Sequence, residues 1–545
     1  MLGVRCSVFD VFLFCIGRPP AAAAGLNTEY SLVLRLAAAF ALLLVAGCRP
    51  AWPEKAADAG RPPSLYPDYT ELVIPANIAP LNFIVREQGV RFSARLAGDR
   101  GRALTLSSRN GKIRFPAGPW RELLEQNRGA ALRLDVAAQD PDGAWHRFQT
   151  VTNRIASEDL DRYLVYRLIP PMDHLWKRIG IYQRDLSGFD VRPVIENQSF
   201  SVDRNGCVNC HSFRMNRTDR MSFQIRSASF GKPMMVARDG VVSKVDTTAA
   251  GFSKGPAGYH SWHPDGRRIA FSVNKVSPFE HTRGEHRDVW DNDSDLAVYL
   301  VASNLVVSVP DLSDPARRET WPAWSADGRH LYFCSAPQVP FERFLDVRYD
   351  LMRIPYDPLT GAWGEREVLA AAADTEMSAA QPRASPDGRW LLFSLSDHGS
   401  FPIFQPSCDL YLLDLTNGLL RCLDINSEWS DSWHCWSSNG RWIAFSSKRE
   451  GGVLARVYFS YFDPDGREHK PFVMPQEDPA FYESLTLTFN VPELVTAPVP
   501  VRPAQWGRAI AAKEPVLKPG FAGKKGGESQ APPSNLEPWQ PASGR

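Results

Sequence analysis

The 545-residue sequence predicts an all-β chain, a small sandwich-like domain followed by a ring of four-stranded units, and three observations carry that expectation. Trp, Gly and Pro number 16, 38 and 44, a mixture suited to short strands joined by tight turns and poorly suited to helical bundles. Short apolar runs alternate with polar residues at period two and stop at Gly and Asp clusters. One unit recurs four times. It reads Ser-Trp-His-Pro-Asp-Gly-Arg-Arg-Ile-Ala-Phe-Ser from Ser261 and returns from Ala323, Arg383 and Cys435, with the turn glycine at Gly266, Gly328, Gly388 and Gly440. Asp-Gly and Asn-Gly supply the positive φ angles that a two-residue hairpin demands, and the apolar run after each is a buried strand.

In chain order, residues 1–48 read as a leader. Arg35 precedes the apolar run Leu36–Leu44, and Val45-Ala46-Gly47 precede Cys48. This is the pattern of an export signal, too short to be a spanning helix. Cys48 after Val-Ala-Gly resembles the lipobox of bacterial lipoproteins, which implies lipidation of Cys48 and a tether to a membrane. Residues 1 to about 31 lie upstream of the signal, so translation is expected to begin near Leu32 or Val33. Residues 49–68 are Pro/Ala-rich and read as a linker. Residues 69–157 carry strand-like runs at Leu81–Val85, Val90–Ala94 and Leu132–Val136, with a helical turn at Trp120–Leu124; a β-sandwich-like domain is expected. Residues 158–495 hold the repeats. Residues 496–545, rich in Pro, Gly and Lys, are expected to be disordered.

The repeats resemble those of TolB-type β-propellers, in the W-S-P-D-G-R-x-I-A-F-S form, over roughly residues 200–475. Four strands per repeat make one blade, as at Asp409–Leu415 before Asn417-Gly418. Two degenerate blades are read at Tyr163–Gly188 and Met221–Gly240. The resemblance thus implies a six-bladed TolB-like propeller.

Chemistry enters at Cys207-Val208-Asn209-Cys210-His211, the C-x-x-C-H pattern of c-type haem attachment. Two thiols at this spacing match the two haem vinyl groups, and the adjacent imidazole is placed to ligate iron. One haem c is expected, with Cys207 and Cys210 as thioether links and His211 as proximal ligand. A zinc site, a dithiol redox pair and a disulfide are the alternatives; zinc needs about four ligands and no second C-x-x-C exists. By blade register the motif is expected just before the first strand of its blade, facing the central axis. For a sixth ligand, His263 stands where Ser325, Ser385 and Ser437 stand in the other repeats, and His260 and His434 share the slot two residues before their Trp. Turn-capping is the competing reading for His263. Met215, Met221, Met234, Met235, Cys334 and Cys435 read as core fillers. The acidic stretch Asp288–Asp295 lacks the Gly and distal Glu of an EF-hand and is expected to be a solvated loop.

A net charge of +1 gives no electrostatic case for nucleic acid. No hydrolase-sized segment remains after Gly451, so the serine-peptidase domains that some propellers of this type accompany are not expected here. The expected function is an exported, lipid-anchored haem propeller of the bacterial periplasm or outer membrane, transferring electrons to an envelope partner. The alternative is a binding scaffold in which haem is structural or absent; haem-peroxidase activity has no support of its own.

Overall fold

The computed structural model describes residues 52–170, 179–200, 206–280 and 287–523. The leader, Cys48 and residues 524–545 lie outside them. Six sheets make up the ring, each with a four-stranded antiparallel meander, and one of them gains a fifth strand. Blade 2 runs from Cys207–Arg214 through Arg217–Arg226 and Met234–Arg238 to Val241–Val245. Blades 3 to 6 begin at Ala257–Trp262, Arg317–Trp324, Ser378–Ala384 and Asp431–Trp436. Blade 1 is built from both ends of the repeat region. Tyr163–Ile169, Gly180–Asp185 and Val191–Glu196 are its outer strands, and Thr488–Val495 supplies the innermost one, antiparallel to Tyr163–Ile169. The six inner strands pack side by side in blade order and the last returns to the first, so the ring is closed. Closure leaves no inner strand with a bare edge. The fold is therefore an all-β, six-bladed propeller.

Each repeat turn sits where Asp-Gly or Asn-Gly predicts it. Gly266, Gly328, Gly388 and Gly440 have φ between 67° and 74°, which residues with a Cβ rarely adopt. The Ser before the turn caps it: Ser325, Ser385 and Ser437 hydroxyls accept from the backbone N–H of His330, Trp390 and Trp442 at 2.9–3.0 Å.

Before the ring, a seven-stranded sheet and a small three-stranded sheet enclose Ile78, Phe83, Phe115 and the buried face of a helix at Ala117–Gln126, where Trp120, Leu123 and Leu124 point inward. That core runs without a break into blade 6, through Trp436, Trp442, Phe459 and Phe472. Asn82 seals the joint by donating to the carbonyls of Gln476 and Glu477 at 3.2 and 3.0 Å.

Two segments differ from expectation. Residues 496–523 are ordered: a helix at Pro503–Ala511 lies against blades 1 and 2, and Gly520–Gly523 adds in parallel to the outer strand Leu305–Ser308 of blade 3. Averaged composition hid Trp506 and Ile510, one helical turn apart and fully buried, Trp506 edge-on to Phe223 at 4.6 Å. Asp288–Asp295 is not a solvated loop but part of the strand Arg287–Leu300, paired to Arg268–Glu280 in a hairpin longer than any other blade carries. Asp288 and Asp291 are buried there against the next blades, within a stretch of four consecutive buried residues that local polarity conceals.

No helix among the described residues is long and apolar enough to cross a membrane.

Candidate functional site on the propeller axis

Every inner strand breaks its ladder at the same level. Cys210, Tyr259, Trp321, Gln381, Trp433 and Val491 all have φ between 47° and 57°, and the pairing register slips at each. These are six β-bulges, one per blade, that turn a side chain toward the axis. The residues that follow them are His211, His260, Pro322, Pro382, His434 and Pro492. The unusual backbone of Cys210 is thus a property of the fold, and His211 occupies a slot that repeats around the ring.

The motif lies within the inner strand Cys207–Arg214, not ahead of it as expected. The expected register began each blade at the apolar run after the turn, one strand too late. The bulge divides the two cysteines. Cys207 joins Val165, Val208, Phe213 and Met221 in the core between blades 1 and 2. Cys210 and His211 line an axial cavity of about 30 Å³ together with His260, Gln381, Arg383, His434 and the rings of Tyr259, Trp321 and Trp433. Tyr259 stacks on Trp321 with centroids 3.6 Å apart, and Trp321 meets Trp433 edge-on at 5.2 Å.

His211 is 1% exposed. Burial lowers its pKa to about 3, and the neighbouring guanidinium groups of Arg167 and Arg383 act in the same direction, so its ring is neutral at physiological pH. No described group meets either ring nitrogen in hydrogen-bonding geometry, although the carbonyls of Val165 and Val491 lie close enough to favour the protonated ring slightly. His260 and His434 differ: each sets Nε2 against a backbone carbonyl, Ala257 and Leu392 respectively, at 3.1 Å. Burial also raises the Cys210 thiol, against a smaller opposing effect from the Tyr259 backbone N–H. Arg167 donates to Asn209 and holds the middle of the motif to blade 1.

Of the sixth-ligand candidates, His260 is brought to the cavity and His263 is not. His263 sits at the Gly266 turn with Nε2 at 2.9 Å from the Gly328 carbonyl and Nδ1 accepting from Asp265 N–H at 3.1 Å. It caps the turn as Ser does in the other blades, and both nitrogens are taken. Met221, Met234, Met235, Cys334 and Cys435 are buried in blade cores, while Met215 is partly exposed at the turn of blade 2. Among the described residues, no three His, Cys, Asp or Glu side chains are grouped to hold a metal ion by themselves.

A c-type haem is tested here by donors and by room. The donor chemistry fits in part: the buried neutral imidazole of His211 beside the Cys210 thiol suits iron and one thioether, whereas Cys207 packs into the interblade core. The cavity itself takes one or two water-sized molecules, against the roughly 300 Å³ or more of ordinary cofactor pockets, so a macrocycle does not lie inside it.

The class this geometry defines is a closed six-bladed propeller with a histidine- and aromatic-lined axis. No family model matches the chain, and no curated protein does. Solved structures do resemble it. A TolB from Agrobacterium tumefaciens covers 57% of this chain and 88% of its own at 14% identity and a TM-score of 0.33. The propeller in a nidogen/laminin complex covers 62% and 99% at 10% identity and 0.34. The hydrazine synthase of Kuenenia stuttgartiensis covers 46% and 63% at 13% identity and 0.29. At these scores the likeness carries no argument, and the propeller assignment rests on the strand order above.

Proposed function

We propose that the chain is an exported propeller carrying one c-type haem on Cys207, Cys210 and His211 and serving electron transfer at the cell envelope. The observation that supports it best is His211. Its buried imidazole has no well-aligned hydrogen bond at either nitrogen, only the nearby carbonyls of Val165 and Val491, and iron is what the C-x-x-C-H pattern would place there. Bound haem would supply one-electron chemistry. The chain's own part is to hold His211 neutral and out of water, with His260 and His434 as further imidazoles on the same cavity. Lipidation at Cys48, a periplasmic or outer-membrane location and an envelope redox partner belong to the same reading and rest on the sequence.

The deciding measurement is a pyridine haemochrome spectrum on protein expressed with its signal and a c-type maturation system. An α-band at about 550 nm that survives acid-acetone extraction, and disappears in Cys207→Ala/Cys210→Ala, is the expected result. A colourless product removes this reading. The second reading, a binding propeller without haem, is favoured by the small cavity and by the packing of Cys207 into the interblade core.

A further inference from the structure

The axial cavity has a polar inventory of its own, independent of any haem. Gln381, 5% exposed, accepts from Trp433 backbone N–H through Oε1 at 2.8 Å, which fixes its amide and leaves Nε2 without a partner. The Trp433 indole Nε1 is likewise a buried donor with no partner. His260, 3% exposed, directs Nε2 at the Ala257 carbonyl and therefore carries the proton there, leaving Nδ1 as a buried lone pair with no partner; His434 differs in facing the backbone of both Leu392 and Gln381. Two donors and one acceptor thus belong to residues around a space of about 30 Å³, room for one or two water-sized molecules. The charge on the lining residues is paired. Arg383 is the one cationic side chain on the wall, Glu493 meets it at 2.9 Å, and no carboxylate lines the cavity.

We propose that this cavity is a binding site for one small uncharged molecule that both donates and accepts hydrogen bonds, in the size class of water, ammonia or hydrogen peroxide. Size excludes anything beyond a few heavy atoms. A cation would find no carboxylate among the lining residues, and an anion would have to displace Glu493 from Arg383. An apolar atom would leave all three polar groups unsatisfied.

The test uses the purified full chain without haem and three probes: methanol, azide and pressurised xenon. Tryptophan fluorescence is titrated with methanol and azide, and soaked or pressurised crystals are examined at the cavity. A saturable methanol response with methanol density beside Gln381 and Trp433, no azide saturation and no xenon peak is the expected pattern. Gln381→Leu and, independently, Trp433→Phe should each weaken methanol about fivefold or more by crystal occupancy. Saturation by azide, xenon in the cavity, absence of methanol, or unchanged methanol binding in both variants would each overturn the proposal. None of these results bears on whether Cys207 and Cys210 carry haem.

Discussion

Arg383 and Glu493 meet across two non-adjacent blades, 5 and 1, with Cys435 of blade 6 between them in the ring. Glu493 lies deep enough that burial raises its pKa, and Arg383 pulls it partly back. Removing the guanidinium strands a buried carboxylate. Arg383→Met is expected to cost about 2–3 kcal/mol at pH 8 by urea unfolding. A group whose folded pKa is raised contributes stability at low pH that is lost as pH rises through the folded value, so the deficit should shrink at pH 5. At Gly328 the argument is steric. Its φ is +71°, and an added Cβ would sit 2.3 Å from His263 Nε2. Gly328→Ala is expected to lower stability by about 2 kcal/mol or more, read from the urea midpoint. Turn residues like these were legible in the sequence because backbone geometry dictates Asp-Gly locally. The cavity residues Tyr259, Gln381 and Trp433 were not, since their identities answer to partners in other blades. The slot two and three residues before each repeat Trp was the available signal, and it exposed only His260 and His434.

The element that most changes the face of the ring is the long hairpin Arg268–Glu280 and Arg287–Leu300. Its residues clamp the next blades: Asp288 meets His398 at 2.8 Å, and Arg318 lies 4.4 Å over the Trp290 ring. Asp291 is buried within it, accepting from Asn274 at 2.6 Å. Burial raises its pKa to about 7, with Arg318 opposing and Asp293 reinforcing the shift. Its ordinary value lies near 4, so its contribution is complete below about pH 4 and is lost as pH rises through about 7. Asp291→Asn is expected to flatten the pH dependence of stability over that window and to exceed the parent above pH 7 by about 2–4 kcal/mol, checked by urea midpoints at pH 5 and 8. A run of Asp in sequence reads as solvent-facing. Only the pairing of the thirteen- and fourteen-residue strands, with its register slip beside Asp291, places Asp288 and Asp291 inside.

Over the whole molecule, the four regular blades were legible because each carries its own turn and apolar strand. Closure was not. Thr488–Val495 has no Asp-Gly before it, and it pairs with Tyr163–Ile169 more than 300 residues away. Ending the chain at residue 487 should leave Tyr163–Ile169 with an open edge, and the product is expected to lose its single unfolding transition and to associate, as seen by light scattering. The belt beyond it also bears load: Trp506→Ala is expected to cost about 3–5 kcal/mol in urea unfolding, from a ring buried against Phe223.

The strand that completes blade 1 also flanks the strand Cys207–Arg214, and it is the last of the six inner strands to leave the ribosome or to cross a membrane N-terminus first. Until it docks, one side of the C-x-x-C-H strand lacks its neighbour. Afterwards both cysteines are 4% exposed. Synthesis order therefore sets an interval for covalent chemistry at these thiols, opening when residue 211 emerges and shutting when residue 495 takes its place. A large adduct has to be joined within that interval, and a thiol reagent added later can reach Cys210 only as fast as the ring reopens.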